Sequence, residues 1–180
     1  MSWTPEDLLE RLDAWEVDYE LHRHRPVVTV EEAQEAKGDL PGEHTKNLFL
    51  RDKKGAMWLV VARHDRTVDL KALAPILGAR GRFSFGSAER LQRHLGVVPG
   101  AVSLLALVND AEGSVRVALD DGLDPDETWN LHPLANTLTL AAQGSAWVDV
   151  LRRLEHPPVW VALDEDALRD DVRPVGNPGG

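Results

Sequence analysis

The feature that most constrains the fold lies between residues 45 and 63. Leu48, Phe49 and Leu50 end one strand-like stretch, Asp52-Lys53-Lys54-Gly55 is a turn signal, and Met57 to Val61 forms a second stretch rich in strand formers. Together they predict an antiparallel hairpin of about 45–51 with 56–63. Helical patterns surround it without a strict strand–helix–strand alternation, so the chain reads as an α+β domain rather than a parallel α/β one.

Before the hairpin, Thr4-Pro5-Glu6-Asp7 has the form of a capped helix start, and Leu8, Leu9, Leu12 and Trp15 recur at helical spacing. Val17, Tyr19 and Leu21 then alternate with Asp18, Glu20 and His22, predicting a short half-buried strand. Thr29 and Glu32 make a capping box for a helix that Gly38 would stop. The turn-rich Gly38-Asp39-Leu40-Pro41-Gly42-Glu43 delivers the chain to Lys46 and Asn47.

After the hairpin, Leu70, Leu73 and Leu77 mark a helix kept short by Pro75 and ended at Gly78. A short strand is expected over Arg82 to Phe85, and Ser87 caps a helix over Ala88 to Leu95 that stops at Gly96. Ala101 to Val108 predicts a buried strand, turned by Asn109 to Gly113 into Ser114 to Leu119 as a second hairpin. Asp120 to Trp129 carries no clear pattern. Leu138 to Ala142 predicts a strand, Ser145 to Leu154 a helix, and Val159 to Leu163 a last strand. One domain over 1–170 is expected, followed by a flexible C-terminal tail over 171–180.

At 180 residues the chain has room for one sizeable core, and 43% apolar with 28% charged residues is an ordinary globular balance. No apolar run reaches the roughly 18 residues of a membrane span, and the N-terminus lacks the pattern of a signal peptide. Cysteine is absent, which excludes disulfides, thiolate metal sites and a cysteine nucleophile. A cytoplasmic location and no membrane partner are expected. The net charge of −10 argues against non-specific nucleic-acid binding, so DNA is not an expected partner. Arg51, Lys53, Lys54, Arg80 and Arg82 form either a local basic patch or a set of ordinary solvated turn charges.

Motifs for a P-loop, a dinucleotide fold and an α/β-hydrolase elbow are all absent. His22 and His24 share one side of a predicted strand, but without a His-Glu-x-x-His helix no metal or other cofactor is expected. An ammonium beside a carboxamide at Lys46-Asn47 suits a ligand with negative charge and hydrogen-bonding groups; a solvated loop edge is the plain alternative. His132 precedes a proline, which favours extended backbone and projects the ring from a loop, for structure or for a ligand. Gly96-Val97-Val98-Pro99-Gly100 lets backbone lie close to a bound group. Val27, Val28 and Val30 either pack in the core or line a small pocket.

Six short segments in order bear a resemblance. They are His44-Thr45-Lys46-Asn47-Leu48-Phe49-Leu50-Arg51-Asp52-Lys53, Trp58-Leu59-Val60-Val61, Val68-Asp69-Leu70-Lys71, Leu95-Gly96-Val97-Val98-Pro99-Gly100, Val108-Asn109-Asp110 and His132-Pro133-Leu134-Ala135-Asn136-Thr137. Over about residues 20 to 163 the chain resembles the YbaK/ProX family, and within it the freestanding bacterial members related to the editing domain of prolyl-tRNA synthetase. The resemblance implies a single α+β domain with a mixed, partly barrel-like sheet. It implies hydrolysis of the ester of mischarged tRNA, with alanine on proline tRNA as the substrate of the Lys-Asn subgroup. It also implies that Lys46 is the catalytic residue, and that Asn47, His132, Gly100 and Thr45 contact substrate beside a pocket formed by Val27, Val28 and Val30. The acceptor end of mischarged tRNA is the expected partner, with prolyl-tRNA synthetase or elongation factor as candidate protein partners.

Chemistry agrees with this implication. An aminoacyl ester is already activated, so its hydrolysis needs orientation, a water and a stabilised oxyanion more than a strong nucleophile. A lysine ammonium is suited to hold a phosphate or polarise a carbonyl rather than to act as base. Alanine is smaller than proline, so a tight pocket admits the wrong amino acid and excludes the right one. Two other readings remain open: a non-catalytic binder of tRNA ends, and a deacylase for tRNA mischarged with serine or cysteine.

Overall fold

The computed structural model describes residues 2–26, 32, 35 and 40–163. The valines at 27, 28 and 30, the Thr29 end of the capping box, the stop at Gly38 and the tail at 171–180 lie outside the described residues.

Helix α1 spans Pro5–Ala14, and the predicted capping box is present: Asp7 N–H donates to Thr4 Oγ1 and Thr4 N–H donates to the Asp7 carboxylate. Leu8 and Leu12 are its buried positions. Strand β1 is only Glu20–Arg23, shorter than the alternation from Val17 predicts, because Val17 and Tyr19 pack on the core without entering the ladder.

The hairpin forms as read. Strand β2 (Glu43–Arg51) pairs antiparallel with β3 (Met57–Arg63), Lys46 opposite Ala62 and Arg51 opposite Met57. Helix α2 (Leu70–Ile76) is capped by Asp69 and contains Pro75. The strand expected over Arg82 to Phe85 shrinks to β4, Ser84–Phe85, beside the end of β2. Helix α3 (Ala88–Leu95) has its Ser87 cap and ends at Gly96, whose φ of 65° is left-handed.

The second hairpin does not form. Leu104–Asn109 is a 3-10 helix, with Leu105 N–H donating to Ser103 Oγ at its start, and a shorter 3-10 turn spans Pro99–Ala101. Leu104 to Val108 are all buried, so the run has neither strand nor helix period to read. Strand β5 (Val115–Asp120) instead lies parallel to β3 on one side and to β8 (Val159–Val161) on the other. The unassigned acidic stretch leads into β6 (Thr128–Leu131), which pairs antiparallel with β7 (Leu138–Gln143); helix α4 (Gly144–Arg153) follows.

The eight strands make one mixed sheet in the order β1-β7-β6-β2-β3-β5-β8, with β4 added beside β2. Strand β3 is buried on both faces and feeds alternate residues to two cores. Met57, Leu59 and Val61 join the larger one with α1, α3, α4 and the 3-10 segments, whereas Trp58, Val60 and Ala62 meet α2 in the smaller one. This double cover fixes the β2–β3 register, because a slip of one residue would exchange the two cores' side chains.

Candidate active site

The first half of β2 is not covered in the same way. It pairs in parallel with β6, Glu43 opposite Trp129 and His44 opposite Asn130. That pairing sets Lys46 and Asn47 beside the end of β6, from which the chain runs into His132. The 3-10 turn at Pro99–Ala101 and the wall of β1 complete a cavity of about 510 Å³. Thr45, Lys46, Asn47, Gly100 and His132 all line it. The basic residues Arg51, Lys53, Lys54, Arg80 and Arg82 do not. Arg51 lies five residues along β2 from Lys46, about 17 Å at strand rise, and all five are solvent-exposed.

Each polar group has a definite environment. Lys46 Nζ donates to the backbone carbonyl of Arg66. Asn47 Oδ1 is buried and has no hydrogen-bond partner. His132 Nδ1–H donates to the Leu138 carbonyl at 2.9 Å, which makes Nε2 the acceptor in the neutral ring. Its own carbonyl accepts from Ser103 Oγ at 2.5 Å, tying the His132 loop to the 3-10 helix. Gly100 has no positive φ, and a Cβ there would meet nothing closer than Asn136 Nδ2 at 3.9 Å.

Several lining residues carry no motif in the sequence. Asn130 Nδ2 donates to the carbonyls of Pro41 at 3.0 Å and Glu43 at 3.3 Å, which fixes the turn entering β2. Its Oδ1 is buried without a partner. His22, Arg23 and His24 line the opposite wall. His24 is engaged at both ring nitrogens: Nδ1–H donates to the Arg25 carbonyl at 3.0 Å, and Nε2 accepts from Thr139 Oγ1 at 2.8 Å. Its ring centre is 6.1 Å from that of His132. The strand spacing of His22 and His24 was the available signal for that wall; Ser103, Asn130 and Thr139 left none.

Among the described residues, no group of three or more His, Asp or Glu is placed to hold a metal. No helix of the described residues is long and apolar enough to cross a membrane. No Asp or Glu stands among the described lining residues, whereas Arg23, Lys46 and four histidines (22, 24, 44 and 132) do. In a chain of net charge −10, such a lining suits an anionic or electron-rich ligand.

Comparison with known proteins points the same way. Residues 24–150 match the family described as Aminoacyl-tRNA editing domain. The prolyl-tRNA editing protein ProX of Acetoanaerobium sticklandii is 37% identical over 134 residues, covering 74% of this chain and 81% of that protein. Prolyl-tRNA synthetase associated domain-containing protein 1 of Danio rerio is 35% identical over 161 residues, 88% of this chain and 85% of that one. Among solved structures, hypothetical protein APE2540 superposes with a TM-score of 0.65 at 18% identity, covering 84% of this chain and 95% of that chain. A crystal structure described as a candidate trans-editing enzyme for prolyl tRNA synthetase gives 0.62 at 17% identity, over 91% and 99% of the two chains. At those identities the structural likeness speaks to the fold alone.

Proposed function

Because the chain belongs to the aminoacyl-tRNA editing domain family, we propose that it acts in trans as a hydrolase of mischarged tRNA, with alanine on proline tRNA as its substrate. Deacylation of aminoacyl-tRNA is the activity of the family; the choice of alanine and of proline tRNA is the finer step. The observation that carries the reading is the shared lining of one cavity by Lys46, Asn47, Gly100 and His132.

The terminal ribose and its ester enter this cavity. The Lys46 ammonium polarises the ester carbonyl or holds the adjoining phosphate, and it has its direction set by the Arg66 carbonyl. The orphan Asn47 Oδ1 accepts from a substrate donor, either the α-ammonium or a hydroxyl, which relieves its unpaired burial. His132, its ring oriented by the Nδ1–H bond to the Leu138 carbonyl, borders the ribose. A water held by that ribose adds to the carbonyl carbon; the tetrahedral oxyanion collapses, and the ribose oxygen leaves with a proton as free alanine is released. Val27, Val28 and Val30 are proposed to bound the amino-acid pocket and to exclude proline by size, since attraction to one methylene supplies only about 1–3 kcal/mol.

Deacylation of a panel of charged tRNAs tests this reading. Release of alanine from proline tRNA, with proline on the same tRNA spared, is the expected result. Binding without release would make the protein a tRNA-end binder, and preferential release of serine or cysteine would move the substrate.

A further inference from the structure

The Lys46 side chain has four rotatable bonds, and holding such a chain in one direction costs it rotamer freedom. Its acceptor, the Arg66 carbonyl, belongs to the turn after β3, which carries no regular structure of its own. Two backbone bonds support that turn: Arg66 N–H to the Arg63 carbonyl at 3.1 Å, and His64 N–H to the His44 carbonyl at 3.0 Å. Side chains add to this, Arg63 pairing with Asp65 at 2.9 Å and His64 Nδ1 lying 3.2 Å from the His44 carbonyl, and further support comes from the end of β5. Asp120 is wholly buried, yet it is not among the described residues that line the cavity and belongs to none of the motifs discussed above. Its Oδ2 accepts Arg63 N–H at 3.1 Å and faces Arg66 Nε at 3.7 Å; its Oδ1 accepts Gly122 N–H at 2.8 Å. The carboxylate therefore grips the turn at both ends. Gly122 leaves room for this arrangement: a Cβ there would stand 2.5 Å from Arg66 Nη2.

A buried carboxylate is expensive to desolvate, and an apolar residue at a sheet end would stabilise the fold as well. What the carboxylate supplies, and an apolar residue would not, is a fixed place for the Arg63–Arg66 turn. We propose that Asp120 is a positioning residue: through that turn it fixes the Arg66 carbonyl to which the Lys46 ammonium donates. This rests on the reading of Lys46 as the group that acts on the ester.

Two variants and two readouts test it. Asp120→Asn removes the charge that faces Arg66. Arg66→Gln removes the guanidinium from the same contact but keeps a side-chain N–H donor for the buried carboxylate, on a side chain that is 29% exposed. Each should lower kcat per folded molecule on alanyl-tRNA by about tenfold, the scale of a sub-ångström misplacement, with KM little changed. Each should also shift the Lys46 Nζ resonance in nitrogen NMR of the free protein. If Asp120→Asn does not fold, Arg66→Gln alone decides. An unmoved Lys46 resonance in a folded variant, or an activity loss that only follows the folded fraction, overturns the proposal. If the wild type fails to release alanine, the functional reading falls, and the resonance still decides whether Asp120 places Lys46.

Discussion

Asn130 holds Pro41 in place: its Nδ2 donates to the Pro41 carbonyl at 3.0 Å and so ties β6 to the turn that delivers Lys46 and Asn47 to the cavity. The same side chain keeps a buried, unpartnered Oδ1. Asn130→Ala loses the tie to both carbonyls. It should cost about 1–3 kcal/mol of stability, the usual penalty for leaving buried polar groups unpaired. Because the turn would then move, kcat/KM should fall by more than the folded fraction does. Urea unfolding alongside steady-state deacylation checks both.

Gly100 and Gly144 should respond oppositely to alanine. At Gly100 neither φ nor a neighbour forbids a side chain, since the nearest atom is 3.9 Å away, so Gly100→Ala should fold with Tm nearly unchanged. Its new methyl enters the lining of the cavity and should reduce deacylation by about tenfold or more through misplaced substrate. At Gly144 a Cβ would lie 2.4 Å from the Trp129 ring, buried in the core. Gly144→Ala should therefore destabilise by about 1–3 kcal/mol, as overpacking does. Melting curves beside initial rates separate the two effects.

A buried pair far from the cavity governs stability alone. His156 Nε2 lies 2.9 Å from Asp110 Oδ2 and Nδ1 lies 2.8 Å from the Leu154 carbonyl, both in hydrogen-bond contact, joining the end of α4 to the turn before β5. His156→Ala leaves the Asp110 charge buried with only the Ser114 and Val115 amides. The loss should be about 3–5 kcal/mol, with kcat per folded molecule unchanged.

Acid should act on stability through the hairpin turn. The backbone N–H of Arg80, with those of Ala56 and Lys54, holds the Asp52 carboxyl below the ordinary aspartate value of 3.8. The folded state thus favours the ionised form, so the stabilisation is complete above that value and is lost as pH falls through the lower, folded one. Denaturation midpoints measured from about pH 5 down to about pH 2 should decline, and Asp52→Asn should flatten that decline while lowering the midpoint at neutral pH.

How much the sequence revealed depended on the range of the interactions. The α1 capping box, the Ser87 cap and the 45–63 hairpin are local, and each formed as read. Ala101 to Val108 misled because a run buried on every side has no period, and the parallel pairing of β5 with β3 spans too many residues for a turn signal. In the site, Lys46-Asn47 and His132-Pro133 stood out by residue type. The partner of Lys46 did not, because it is a backbone carbonyl and any residue carries one. The β1 wall enters only through its register with β7, His22 opposite Thr139.

The proposed activity depends above all on the ammonium at position 46. Single-turnover release of alanine from alanyl-tRNA(Pro) by wild type and by Lys46→Ala measures it most directly. The expected result is a loss of about 100-fold or more in the variant, with tRNA binding and folding retained, the scale of one missing electrostatic stabiliser. Equal rates in the two proteins would contradict the account.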